Sequence, residues 1–263
     1  MTITNKREKP LIHLLHNHVT LNDVVNMIMA VGGTAVCGES EEEAAELTSL
    51  SDALLINTGM PTREKLRAMI LAGQRANQLE IPVLLDPVGA GASSFRREVI
   101  RELLFHVRFC CIRGNNSEIA SLCDHSFTSK GPESVDTMLT GEEIKALALR
   151  SESIVVATGK RDIVTDGGRI FEYPGASPLL KEFTGGGCML SGVLAVFLAK
   201  SGKTRPVKLQ AVQSALDLYR KNAKDSMMRT HPLGMSGTLS YKNALIDGMS
   251  LYRDEIAEIF EKQ

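Results

Sequence analysis

The chain has no tryptophan, and aromatic residues make up only 5% of it. It therefore lacks the ring platforms on which proteins stack single-stranded bases. Neither sign of charge is in excess: 30 basic and 31 acidic side chains leave a formal net charge of -1. That balance excludes a broad electrostatic attraction to nucleic acid or to anionic membrane. Cysteine is scarce and odd in number, five in all, with Cys110 and Cys111 adjacent. Such spacing is no disulfide framework and points to a reducing compartment. Apolar runs long enough to span a membrane are missing. The opening "MTITNKREKP" carries basic residues without the apolar core of a secretion signal. The sequence reads as cytoplasmic.

What the sequence does contain is an alternation. "PLIHLL" (10–15), "TAVC" (34–37), "ALLIN" (53–57), "IPVLLD" (81–86), "FCCIR" (109–113) and "SIVVAT" (153–158) are short and almost continuously apolar. Runs of that kind suit parallel strands covered on both faces. Helical patterns fall between them, over 20–31, 40–50, 62–79, 95–106, 115–123 and 140–150. In "PTREKLRAMILAGQRANQLE" Leu66, Met69, Ile70 and Gly73 share one face, and Thr62 is placed to cap the first turn. The alternation predicts an α/β fold, a mostly parallel central sheet with helices on both faces. Beyond residue 158 the rhythm changes. "DIVTDGGRIFEYP" predicts a hairpin turning at "DGGR", followed by helices near 188–200, 205–228 and 237–262. The polar stretch 124–139 reads as a surface loop. There is no repeat or linker, and a content of 43% hydrophobic and 23% charged residues fits one domain over 1–263.

Open α/β sheets bind ligands beyond the carboxyl ends of their strands. Four polar or glycine-containing segments fall there: "NTGMPT" (57–62), "DPVGAGASS" (86–94), "RGNNSE" (113–118) and "ATGK" (157–160). "FTGGGCMLSG" (183–192) is a fifth, without a clear strand before it. Its glycines, Gly185, Gly186 and Gly187, lead into an apolar helix from Cys188. Glycine permits close backbone approach and positive φ, and amides at a helix start attract phosphate. The loop is a candidate anion hole for a transferred phosphoryl group. Short glycine patterns also serve as plain lead-ins to helices. Asp86 and Glu118 stand at neighbouring strand ends, where carboxylates hold magnesium, usually through water. Glu118 fits equally well as a helix-start acid set against the dipole. Arg113 ends a strand, placed either to clamp phosphate or to pair with an acid.

Three look-alikes are set aside. "SGKT" (201–204) resembles a phosphate-binding loop, but Phe197 stands where that motif needs glycine. "GAGASS" has Ser94 at the third glycine place of a dinucleotide fingerprint. "HLLHNH" brings His13, His16 and His18 together, yet only His16 and His18 share a face of an extended segment. A polar edge facing substrate fits them better than a metal site.

Taken together, "HNHVTLND", "NTGMPTREKLRAMILAGQRAN", "PVLLDPVGAGASSFRRE", "IRGNNSEIASL", "VATGKRDIV" and "FTGGGCMLSGVLAVFLA" resemble, in order and spacing, the hydroxyethylthiazole kinases. These are thiamine-salvage members of the ribokinase-like superfamily. The resemblance runs from about residue 10 to 200, with a compatible helical tail, and it implies a ribokinase-like fold. It also implies transfer of phosphate from ATP, with Mg2+, to the primary alcohol of 4-methyl-5-(2-hydroxyethyl)thiazole. Asn17, Val19, Cys37 and Gly185 then match the thiazole side. Arg113, Asn115, Thr158 and Gly159 match the ATP side, and Asp86 and Glu118 the acids around metal and phosphate. Gly187 belongs to the anion hole. Cys188 takes the place where most ribokinase relatives carry an aspartate base. A thiol is a weak base for an alcohol, but phosphoryl transfer depends mainly on positioning and charge stabilisation. Cys37 replaces the methionine usual in the family, and the middle glycine of "TGGGC" is a further departure. Family members form homotrimers with active sites between subunits.

Other readings make different demands. Kinases for hydroxymethylpyrimidine or pyridoxal keep an acid where Cys188 stands. A non-catalytic nucleotide or thiazole sensor has no need of Asp86, Glu118 and Arg113 together. A dinucleotide-dependent dehydrogenase is disfavoured by the broken "GAGASS".

Overall fold

Strand runs with apolar residues at successive positions can form a sheet only if both faces are covered. That arrangement is found. The computed structural model describes residues 8–123, 139–230 and 237–261. Its strands are β1 (Leu11–Leu15), β2 (Thr34–Cys37), β3 (Ala53–Asn57), β4 (Val83–Asp86), β5 (Cys111–Asn115), β6 (Ile154–Thr158), β7 (Arg161–Thr165) and β8 (Ile170–Pro174). They form one sheet in the order β2-β1-β3-β4-β5-β6-β7-β8. All pairings among β1 to β6 are parallel, and β7 and β8 extend the sheet antiparallel. The expected α/β architecture and the hairpin at "DGGR" are both present. The expected loop at 124–139 lies almost wholly outside the described residues.

The helices are α1 (Leu21–Ala30), α2 (Ala44–Ser49), α3 (Arg63–Gln78), α4 (Ser94–His106), α5 (Asn116–Cys123), α6 (Gly141–Arg150), α7 (Gly186–Lys200), α8 (Arg205–Thr230), α9 (Thr238–Ser250) and α10 (Arg253–Glu261). Their starts follow local chemistry. The Thr62 hydroxyl accepts from the Lys65 amide, Ser93 from that of Arg96, and Thr140 and Glu143 form a reciprocal capping box. Alternate strand residues feed two cores. Ile12, Leu14, Leu55 and Val156 pack with α1, α7 and α8, while Leu15, Leu54, Ile56 and Val155 pack with α3, α4 and α6. Helix α7 lies between the sheet and α8, and twelve of its fifteen residues are buried. It is therefore apolar all round rather than amphipathic. No helix among the described residues is long and apolar enough to cross a membrane.

Several boundaries differ from the sequence reading. Strand β4 starts at Val83, because the Ile81 amide bonds the Ala76 carbonyl and Pro82 has no N–H to give the sheet. Strand β5 is shifted two residues, to 111–115. Helix α2 begins only at Ala44. The single helix expected over 237–262 is two, parted where the Leu251 amide turns back to the Gly248 carbonyl. Helix α7 begins at Gly186, two residues before Cys188.

Candidate active site

The register of the sheet decides what meets at its carboxyl edge. Asn57 pairs with Asp86 across β3 and β4, and Asn115 with Thr158 across β5 and β6. From this edge a buried polar chain runs through the site. The Asn17 amide donates to Asn57 Oδ1 at 2.9 Å, and Thr20 donates to Asn17 Oδ1 from its backbone at 3.1 Å and its hydroxyl at 3.2 Å. Asn57 Nδ2 donates to Asp86 Oδ2 at 2.9 Å and to Cys188 Sγ at 3.2 Å. Ser191, one turn into α7, donates to the same Asp86 oxygen at 3.0 Å. Arg113 Nη1 lies 3.6 Å from Asp86 Oδ1, and its Nη2 donates to Thr158 Oγ1 at 2.7 Å.

Among the described residues four buried side-chain nitrogen or oxygen atoms have no hydrogen-bond partner. Three belong here: Asp86 Oδ1, Arg113 Nε and His16 Nε2. Native proteins rarely leave such groups unmet, so a polar ligand is the natural completion. Asp86 itself is fully buried, and a carboxylate oxygen that accepts no hydrogen bond and has only the Arg113 charge at 3.6 Å suits a further cation. The oxygen donors nearby are two carboxylates, which fits a hard, oxygen-ligated ion such as Mg2+. No group of three or more His, Cys, Asp or Glu able to hold a metal by themselves occurs among the described residues. Mg2+ commonly has one or two carboxylates plus phosphate and water, so this does not disagree.

Glu118 is the second acid, and it has two duties. Its Oε2 accepts the Asn115 amide at 2.8 Å, while Asn115 Oδ1 accepts the Glu118 amide at 2.9 Å, a reciprocal cap on α5. Its Oε1 accepts the Gly89 amide at 3.1 Å and ties this helix to the loop after β4. Burial, then the charge of Asp86, push the Glu118 carboxyl above its ordinary range, and Arg113 opposes them.

The glycine loop faces this cluster from α7. Gly185 takes φ 103°, a left-handed value that favours glycine, and caps α7 without a side chain. The first helical bond runs from the Met189 amide to the Gly185 carbonyl. The amides of Gly186, Gly187 and Cys188 are therefore the unpaired donors of the helix start. Gly187 is required for a specific reason: a Cβ there would overlap the Arg113 guanidinium, 2.9 Å from its Cζ. Arg113 thus turns the edge formed by its two Nη atoms to the loop, between Asp86 and Thr158.

Cys188 is 8% exposed, and burial, then the charge of Asp86, push its thiol up to about 12. Near neutral pH roughly one thiol in 10⁵ is ionised. It is a neutral group that packs and accepts, not a thiolate.

The remaining expected residues sit around this centre. Gly159 follows Thr158 and donates its amide to Asp162 Oδ1 at 3.0 Å. Asn115 spends its side chain on the α5 cap. Val19 is 67% exposed and Cys37 is exposed at the end of edge strand β2, both outside the buried chain. The histidines do not converge. His13 is held by Thr48 and the Gly38 carbonyl, His16 is buried, and His18 pairs with Glu39 on the surface. Sequence reasoning missed Asn57 and Ser191. Asn57 is a polar residue ending an otherwise apolar strand, a signal that was available. Ser191 is three residues past Cys188, which on a helix places both on one face.

The fold is ribokinase-like: a ribokinase-like superfamily protein of Enterococcus faecalis superposes with a TM-score of 0.66 at 14% identity, covering 94% of this chain and 87% of its own. A hydroxyethylthiazole kinase protein of Pyrococcus horikoshii is nearer, with a TM-score of 0.80 at 30% identity, covering 96% and 92%. By sequence the chain is 39% identical to a hydroxyethylthiazole kinase of Desulforudis audaxviator over 95% of its length and 89% of the relative's. It is 34% identical to that of Clostridium beijerinckii over 98% and 93%. A model of the hydroxyethylthiazole kinase family matches residues 3–254. The chain belongs to the hydroxyethylthiazole kinase family.

Proposed function

We propose that this chain phosphorylates the primary alcohol of 4-methyl-5-(2-hydroxyethyl)thiazole with ATP, in the supply of thiamine. The observation that carries the reading is the meeting of a buried Asp86 Oδ1 that accepts no hydrogen bond with Arg113 and the free amides of Gly186, Gly187 and Cys188. That combination offers one carboxylate edge and one donor-rich edge, as a charged phosphoryl group in transit requires.

The roles follow from position. Gly187 and its neighbours give amides to the transferred group. Arg113 and Thr158 meet the nucleotide phosphates, with Asn115 and Gly159 bordering them. Asn17 and Gly185 face the thiazole side with Val19 and Cys37. Asp86 and Glu118 would hold Mg2+, which supplies charge neutralisation to the phosphates when bound. Cys188, a neutral thiol held by Asn57, orients the alcohol and takes no proton. The exposure of Val19 and Cys37 favours a pocket completed by a neighbouring copy, in a homotrimer. We assign the protein to the cytoplasm on its free cysteines and balanced charge.

A coupled assay of ADP release across thiazole, hydroxymethylpyrimidine and pyridoxal alcohols tests the reading. The thiazole alcohol is expected to be turned over best, and only with a divalent cation. Preference for either other alcohol, or no ADP release with any, overturns it.

A further inference from the structure

We infer that Tyr219 is a positioning residue for phosphoryl transfer, whose hydroxyl orients and strengthens the Gly187 amide through the far end of the same peptide group. The inference rests on the assignment of Gly187 to the anion hole. Tyr219 lies in the middle of α8, 2% exposed, and its hydroxyl donates to the Gly186 carbonyl at 2.6 Å. That carbonyl and the Gly187 N–H are opposite ends of one planar peptide. A donor drawing on the oxygen polarises the N–H, because hydrogen bonds in a chain reinforce one another at low dielectric. It also fixes the plane. A Cβ on Gly186 would lie 2.8 Å from the Leu180 carbonyl, so the Cα at one end of this peptide packs closely on that backbone while the Tyr219 hydroxyl holds its oxygen.

Satisfaction of the carbonyl does not explain the bond. As the first carbonyl inside α7, Gly186 O already has the ordinary helical partner four residues on. Packing does not explain it either, since phenylalanine fills the same volume. A second buried tyrosine supplies the contrast. Tyr241, 1% exposed, donates to the Ala223 carbonyl at 2.9 Å and joins α9 to α8. That bond reaches no backbone group of the glycine loop. Burial also pushes the Tyr219 hydroxyl above its ordinary range, so it stays a donor at every working pH.

The test joins kinetics to a signal from this one peptide. Glycine labelled with carbon-13 at the carbonyl and with nitrogen-15 gives amide–carbonyl NMR correlations only from Gly–Gly peptides. These are Gly32–Gly33, Gly167–Gly168, Gly185–Gly186 and Gly186–Gly187. Tyr219→Phe is expected to lower kcat about tenfold, part of the roughly 10²–10³ lost with a whole donor. KM for both substrates should stay within about twofold, because the interaction grows only in the transition state. The Gly186–Gly187 amide should move upfield and the Gly32–Gly33 and Gly167–Gly168 signals should not. Tyr241→Phe should lower the melting temperature and leave kcat intact. Unchanged kcat in Tyr219→Phe, or an unmoved Gly186–Gly187 signal, overturns the inference.

A non-hydrolysable ATP analogue with the thiazole alcohol separates this failure from the larger one. If the wild-type Gly186–Gly187 signal ignores both ligands, the anion-hole reading itself fails. If it responds and Tyr219→Phe still has wild-type kinetics, only the present inference falls. Should Tyr219→Phe not fold, fluorotyrosine at all tyrosines gives a more acidic hydroxyl and must shift that signal downfield. An unmoved signal then counts against the role.

Discussion

Two glycine-bearing segments lead into helices at the carboxyl edge of this sheet, and they are built in opposite ways. The segment 86–94 runs into α4 and is closed on itself. Gly89 takes φ 67°, and its amide is taken by Glu118. Arg96 donates to the Thr58, Val88 and Gly59 carbonyls at 2.9, 3.0 and 2.7 Å, and Arg97 to that of Gly91 at 3.1 Å. Ser93 caps the helix. The segment 183–188 runs into α7 with no side-chain cap, so the first amides of the helix are left without a partner. Composition is similar in the two, so glycine content does not tell a braced turn from a ligand cradle. What separates them is whether side chains from neighbouring elements consume the backbone groups.

The open segment should fail chemically. Gly187→Val is expected to displace the Arg113 guanidinium and cut kcat by at least about 10²–10³, as loss of an oxyanion donor does. Circular dichroism should show the fold retained, since the new side chain meets a movable guanidinium. Wild-type kinetics would end the distinction between the two loops. The closed segment should fail by unfolding instead. Arg96→Ala strips donors from three carbonyls and is expected to cost about 2 kcal/mol, within the usual range for bonds to a charged group. Urea denaturation reads it as a lower midpoint with unchanged slope. A smaller change than in Gly187→Val would contradict the contrast.

The same contrast accounts for what the sequence disclosed. Strands and helices from 10 to 158 were legible because apolar runs and helical faces alternate cleanly, and a sheet buried on both sides requires that pattern. Asp86, Arg113 and Thr158 were legible because strand ends lie where ligands bind, and the register brings those ends together. Asn57 and Ser191 were not recognised, although both bond the Asp86 oxygen. Both fall in segments singled out by their position, 57–62 and 183–192, but Asn57 ends an apolar strand and Ser191 sits in an apolar helix, so neither stands out as a residue. Arg96 and Tyr219 escaped for another reason. Their partners are carbonyls of residues 8 to 38 positions away in the chain, and only the tertiary packing chooses them. The break at Leu251 has no proline, and its one glycine, Gly248, lies inside the last turn of α9, so a periodic pattern ran through it.

A milder probe of the closed segment is Ser93→Ala. Loss of the cap that receives the Arg96 amide at 3.2 Å should cost about 1 kcal/mol. Thermal melting reads this, and kcat should hardly move. A large loss of turnover would mean that the α4 lead-in also touches substrate.

The smallest effect is expected at the residue that looks most chemical. Cys188 stands at the mouth of α7, yet burial and Asp86 hold its thiol at about 12, so it is protonated throughout the range in which the enzyme is assayed. Its partners are Asn57, which donates to it at 3.2 Å, and the Thr20 side chain, and a hydroxyl can meet both. Cys188→Ser should therefore keep kcat within about threefold, whereas loss of a true general base costs roughly 10²–10⁴. The kcat profile over pH 6 to 9 should show no limb belonging to residue 188 in either protein. A limb present in the wild type and absent in Cys188→Ser would make the thiol a base after all. The open loop would then work through its side chain as well as its backbone, and the difference between the two glycine segments would no longer be one of free amides alone.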